Sequence, residues 1–127
     1  MGTAARPLAD RVALVVEDQA EVRHMVARIL ADAGFSVVEA EGGDDAVAQI
    51  YLRRGKVQLV VSDVAMPGIS GDALAATVSV QWPGMPVLLI SGAPARGGKY
   101  DYPFLQKPFT PEALLDAVSH LVRLPNA

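Results

Sequence analysis

The sequence contains no cysteine. Disulfides, thiol catalysis and thiolate metal sites are therefore excluded, and a reducing compartment is permitted. No apolar run approaches the ~20 residues needed to cross a bilayer. Met1 to Asp10 carries one arginine and no apolar centre, so it does not read as a secretory signal. Together these absences predict a soluble, cytoplasmic chain without membrane insertion. Positive charge is not in excess either: 11 Lys and Arg against 14 Asp and Glu leave a net charge of −3. Without a basic stripe, direct nucleic-acid binding is not expected. The short cluster Arg53, Arg54, Lys56 reads as a solvated connection. Gly42-Gly43 reads as a turn, because the Lys and Ser/Thr of a phosphate loop are missing. Internal repeats and low-complexity tracts are absent.

What the chain does contain is apolar material in two alternating periods. Hydrophobic residues make up 51% of 127 residues, enough for one sizeable core in one domain. Val12 to Val16 is a continuous, β-branched run that suits a strand buried on both faces. Val22, Met25, Val26, Ile29 and Leu30 then follow helical spacing with these residues inward, and Gly34 ends that helix. Phe35 to Val38 reads as a strand. Asp44 to Leu52 reads as a helix with Ala46, Val47, Ile50 and Tyr51 inward. Val57 to Ser62 is a third strand, and Ser70 can cap a helix carrying Leu74, Val78 and Gln81 up to Pro83-Gly84. Val87 to Ile90 and Phe104 to Gln106 are further strands. Thr110-Pro111 starts a last helix lined by Leu114, Leu115, Val118, Leu121 and Val122. This alternation predicts an α/β fold: an open, doubly wound, five-stranded parallel sheet with helices on both faces.

In such sheets chemistry gathers beyond the carboxyl ends of the strands, at the switch in strand order. The polar residues fall there. Strand one ends in Glu17-Asp18, strand three in Asp63 and strand four in Ser91, and strand five runs directly into Lys107. Carboxylates brought so close repel one another unless a cation intervenes. A hard divalent ion with oxygen ligands is the natural remedy, and Mg²⁺ is the usual one where phosphate is handled. A lysine adds a point charge, and a serine hydroxyl adds a neutral donor. Such a set can neutralise a transferring phosphoryl group while one carboxylate attacks phosphorus.

Four segments carry a resemblance: Val15-Val16-Glu17-Asp18, the run Val60 to Gly71 (VVSDVAMPGISG), Leu88-Leu89-Ile90-Ser91-Gly92, and Phe104-Leu105-Gln106-Lys107-Pro108-Phe109. In this order, each at a strand end, they are similar to the response-regulator receiver family of two-component signalling, over about Val12 to Leu124. The resemblance implies a flavodoxin-like sheet of order 2-1-3-4-5. It implies Asp63 as phosphoacceptor and a Mg²⁺ ion held by Glu17, Asp18, Asp63 and the backbone carbonyl of Ala65, with Asp18 the more direct of the acidic pair. Ser91 matches the hydroxyl residue that moves to the phosphoryl oxygen, and Lys107 the lysine that contacts the phosphoryl group. Phe104 stands where the family has an aromatic switch, although an aromatic in a short strand reads equally well as core. The Lys107-Pro108 bond is cis in many relatives. The phosphodonor so implied is a histidine kinase or a histidine phosphotransfer protein; the output partner is not identified. His24 and His120, on predicted helices away from the strand ends, are assigned neither donor nor metal role.

Two departures matter. The connection Ala93 to Pro103 is near the ~10–12 residues a crossover needs, and Pro94, Gly97, Gly98 and Pro103 break helices. A fourth crossover helix is therefore expected to be missing or one turn long. The family's usual dimer is not carried over, and the loop Ala93 to Pro103 itself becomes the expected signal exit. A phosphatase of the haloacid-dehalogenase type would want a second Asp at position 65, where Ala65 stands. A non-phosphorylated module would lack Asp63 or Lys107, and a flavin carrier would be repelled by Glu17-Asp18. The expected activity is thus self-modification and not turnover of a separate substrate, so the chain is not read as an enzyme. The expected organisation is a flexible segment over 1–10, the domain over 11–124 and a tail over 125–127.

Overall fold

Runs of β-branched and aliphatic residues become the strands because both of their faces can be buried. The computed structural model describes residues 11–93 and 101–125. Strands β1 (Val12–Val16), β2 (Ser36–Ala40), β3 (Leu59–Asp63), β4 (Val87–Ser91) and β5 (Phe104–Gln106) form one parallel sheet in the order β2-β1-β3-β4-β5. Every residue of β1, β3 and β4 is buried, whereas the edge strands β2 and β5 are partly exposed. The register is set by pairs such as Leu14 with Val60 and Asp63 with Ile90.

Among the described residues, four helices cover this sheet: α1 (Ala20–Asp32), α2 (Gly43–Leu52), α3 (Gly71–Gln81) and α4 (Pro111–Ser119). Strand alternation divides the core in two. Leu14, Val16, Val60 and Leu89 pack with Ile50 of α2 and Leu74 and Val78 of α3. Val15, Leu59, Val61 and Ile90 pack with Val26 and Leu30 of α1 and Leu114 and Val118 of α4 on the opposite face. Each fully buried Leu, Ile or Val side chain contributes about 1.5–3 kcal/mol. Local signals agree with this packing. The Ser70 hydroxyl accepts from the Ala73 N–H at 3.4 Å and Thr110 Oγ1 from the Ala113 N–H at 3.0 Å, each capping its helix, with Pro111 opening α4.

Several expectations change. The second and third strands run Ser36–Ala40 and Leu59–Asp63 in place of Phe35 to Val38 and Val57 to Ser62, and Gln81, expected with Leu74 and Val78, is exposed. Met25 and Tyr51 were expected inward, but both are exposed; each sits at the margin of its helix's apolar stripe, where spacing alone does not choose a side. The last helix stops at Ser119, although Leu121 and Val122 still pack on the core beyond it. Gly34 adopts φ 106° just past α1, as a helix-ending glycine does, but at the corresponding place after α2 stands Arg54 with φ 55°. A left-handed non-glycine residue costs about 1 kcal/mol. The expectation of a fourth crossover helix that is missing or one turn long falls mainly on 94–100, outside the described residues; Gly92, Ala93, Asp101, Tyr102 and Pro103 are non-helical. The expected flexible segment 1–10 and residues 126–127 of the expected tail likewise lie outside them. Among the described residues, no helix is long and apolar enough to cross a membrane.

The chain passes from β1 outward to β2 and then back across β1 to β3. The switch point is therefore the gap between the carboxyl ends of β1 and β3. That gap is where Glu17, Asp18 and Asp63 arrive.

Candidate functional site

Asp63 is the last residue of β3 and is buried, while Glu17 and Asp18 follow β1 directly. One carboxylate oxygen from each of the three lies within 4.8 Å of the others. Their burial differs: Glu17 and Asp63 are buried, and Asp18 is exposed. Lys107, leaving β5, reaches into this group. Its Nζ donates to Glu17 Oε1 at 3.0 Å and stands 3.4 Å from Asp63 Oδ1. A single ammonium thus bridges two carboxylates carried by strands that are far apart in sequence.

Both Glu17 oxygens are engaged, since the Gln19 N–H donates to Oε2 at 3.2 Å. Burial pushes the Glu17 carboxyl above its ordinary pKa, opposed by the Lys107 and Gln19 hydrogen bonds and reinforced by the charge of Asp63. For Lys107 burial acts downward, but the hydrogen bond to Glu17 and the charges of Asp63 and Glu17 outweigh it and hold the amine above its ordinary value. Lys107 therefore remains charged throughout the neutral range and serves as the internal counter-ion of the acidic group.

Ser91 closes β4, buried, one residue beyond the partner of Asp63. Its Oγ accepts from the Ala93 N–H at 3.1 Å, and its carbonyl accepts from the Lys107 N–H at 2.8 Å. The Lys107–Pro108 peptide is cis. Ala65 lies exposed in the turn two residues past Asp63. Phe104 is half-buried and packs on the core shared with α2 and α3. The histidines stay apart from the acidic group: His24 Nε2 lies 3.4 Å from Glu39, and His120 Nδ1 lies 2.7 Å from the Asp116 carbonyl.

Two positioning residues escape a reading by motif chemistry alone. Arg23 of α1 is buried; its Nη1 donates to the Glu17 carbonyl at 2.9 Å and its Nε to Glu39 at 3.0 Å. An arginine in an amphipathic helix ordinarily reads as surface, and only the pairing of β2 with β1 brings Glu39 to it. Gly71, the first residue of α3, donates its N–H to the Val64 carbonyl at 2.9 Å. A Cβ there would sit 2.1 Å from the Asp63 carbonyl oxygen. The absent side chain is what lets α3 start directly against the Asp63 backbone.

Beside Lys107 an open, mostly apolar groove of about 530 Å³ is lined by Val22, Met25, Gly92, Pro108 and Phe109. Met25, exposed, is part of that lining.

Comparison with known proteins agrees with this geometry. The family model described as response regulator receiver domain matches residues 13–119. The response regulator protein FleR of Pseudomonas aeruginosa is 35% identical over 124 residues, covering 90% of this chain and 25% of its own length. The sensor kinase CckA of Brucella abortus is 34% identical, covering 86% of this chain and 12% of its own length. The chain thus spans a quarter or less of these relatives. The chemotaxis protein CheY4 of Vibrio cholerae superposes with a TM-score of 0.77 at 27% identity, covering 88% of this chain and 98% of that one.

Proposed function

This chain belongs to the response regulator receiver domain family, and from that premise we propose that Asp63 accepts a phosphoryl group from a phosphohistidine donor. The observation that carries the reading is the Lys107 ammonium lodged between Glu17 and Asp63 with Asp18 alongside. An Asp63 carboxylate oxygen attacks phosphorus as the phosphorus–nitrogen bond of the donor breaks and its electron pair returns to the imidazole. The product is an acyl phosphate. Lys107 trades part of its contact with Asp63 for the incoming phosphoryl oxygens and holds their charge. Ser91, with its hydroxyl now on a local N–H, donates to the same oxygens after a small movement. Phe104 repacks as β5 follows Lys107 and Ser91, which favours one of two pre-existing conformations.

The donor set fits a hard cation. It is all oxygen, and its members differ in availability: each Glu17 oxygen already accepts a hydrogen bond, from Lys107 or from Gln19, whereas Asp18 is exposed. Asp18, Asp63 and the Ala65 carbonyl would hold Mg²⁺, with Glu17 behind them. When bound, the ion supplies compact positive charge that offsets carboxylate repulsion and the charge of the phosphoryl oxygens.

The donor is a histidine kinase or a histidine phosphotransfer protein, which supports a cytoplasmic setting, and residues 11–124 act as the switching unit. The chain modifies itself and turns over no separate substrate. Incubation with acetyl phosphate and Mg²⁺, followed by intact mass, tests the proposal. The parent gains one phosphoryl group; Asp63→Asn, or omission of Mg²⁺, gains none. A phosphorylated Asp63→Asn chain would sink the assignment.

A further inference from the structure

The opposite, amino-terminal edge of the sheet carries a second groove, of about 570 Å³, with different chemistry. Three connections build it: Arg54, Gly55, Val57 and Gln58 after α2, Trp82 to Pro86 after α3, and Val122 after α4. Residues 53–58, 82–86 and 120–125 contain no Asp or Glu, yet they contribute Arg53, Arg54, Lys56 and Arg123. Arg11 joins them, its Nη1 lying 3.5 Å from the Arg123 carbonyl. Among the described residues none of these five makes an ion pair. The groove lining is mixed: Arg54, Gln58 and Gln81 are polar, and Val57, Trp82, Met85 and Val122 are apolar. Trp82 is half-buried over Gly55, and Tyr51 meets it edge-on at 4.9 Å between ring centroids.

Arg54 is the informative residue. It occupies the left-handed position after α2, with the Gly55 N–H bonded to the Ile50 carbonyl at 2.9 Å and the Arg54 N–H to the Tyr51 carbonyl at 2.9 Å. That hydrogen-bond pattern ordinarily takes glycine at this place. An arginine there is strained, and its side chain lines the groove. Strain retained at a ligand-facing residue points to use.

We propose that this groove docks an acidic peptide segment of a partner protein, one apolar side chain entering over Trp82 while carboxylates meet Arg53, Arg54 and Lys56. A peptide suits it better than a nucleic acid. The cavity is the size of a few side chains and offers one aromatic face, Trp82, among polar groups, and the chain as a whole is net negative at −3, which repels an extended polyanion. The site is independent of Asp63 and goes beyond the phosphoryl chemistry.

Trp82 is the only tryptophan, so its emission reads occupancy directly. The probes are short synthetic peptides: glutamates flanking one leucine, the same without leucine, and lysines flanking one leucine. Only the first shifts Trp82 emission saturably, and added salt weakens it. Arg54→Gly binds it roughly tenfold more weakly, the loss of one charge-assisted contact, while its melting temperature rises by about 3 °C from relief of strain. Its phosphorylation by acetyl phosphate is unchanged. Several results would each overturn the proposal: no saturable shift with the leucine-bearing acidic peptide, equal binding of all three peptides, unaltered affinity in Arg54→Gly, or binding of duplex DNA or anionic vesicles in place of the peptide.

Discussion

The two edges of one sheet gather opposite charge and treat it differently. At the carboxyl edge Glu17, Asp18 and Asp63 lie within 4.8 Å of one another, and the fold supplies Lys107 as counter-charge and Arg23 as a brace. At the amino edge Arg53, Arg54 and Lys56 stand in solvent without ion pairs among the described residues. Buried like charges demand an internal partner because the surrounding medium screens them poorly. Exposed ones are tolerated because water and salt screen them. The first edge is therefore balanced by internal partners, while the second is left to solvent and suits reversible contact. Perturbing each edge in turn tests whether they differ in this way.

The largest expected effect is at Gly71. Gly71→Ala places a Cβ where only 2.1 Å separates it from the Asp63 carbonyl oxygen. Backbone cannot yield there as a flexible side chain would. A loss of about 3 kcal/mol follows, with a fall in melting temperature on the order of 10 °C. The rate of phosphorylation by acetyl phosphate falls with it, because Asp63 is the displaced residue. Unchanged stability and rate would show that the carboxyl edge is softer than argued.

A smaller change of opposite sign is expected at Asp18. Removing one of three mutually repelling carboxylates relieves the metal-free state. Asp18→Asn stabilises the metal-free chain only slightly, because solvent and salt screen this exposed group. The parent gains about 1.4 kcal/mol from Mg²⁺ at ten times its dissociation constant, and Asp18→Asn loses most of that gain. Thermal melts with and without Mg²⁺ read both effects. A variant that is destabilised without metal would mean that repulsion is not what Asp18 contributes.

These residues also show where sequence reasoning reaches its limit. Val12–Val16 and Phe104–Gln106 coincide with the observed strands, and Val87–Ser91 exceeds its prediction by one residue, because a β-branched run followed by a polar break is a local signal. Glu17, Asp18, Asp63 and Lys107 were legible as a group because parallel strands bring their carboxyl ends to one edge. The pairing of Lys107 with Glu17, closer than its approach to Asp63, was not, since strand order places residues near one another without choosing hydrogen bonds. Arg23 and Gly71 act only through tertiary contacts. Met25 and Tyr51 fit a helical period on either side, and packing decided against the inward reading for both.

Tyr51 provides the smallest test and separates the two edges most cleanly. Its hydroxyl bonds Gln81 Oε1 at the exposed amino edge, and its ring meets Trp82 at 4.9 Å. Tyr51→Phe keeps the ring and removes only the hydrogen bond. Water can replace that bond for both partners, so the loss is about 0.5 kcal/mol or less. Trp82 emission stays as in the parent, because the indole's neighbour is unchanged. Chemical denaturation monitored at Trp82 measures both quantities in one experiment. A cost well above about 1 kcal/mol would mean that the bond is shielded from solvent, and that the amino edge, like the carboxyl edge, is held by polar contacts that water cannot substitute.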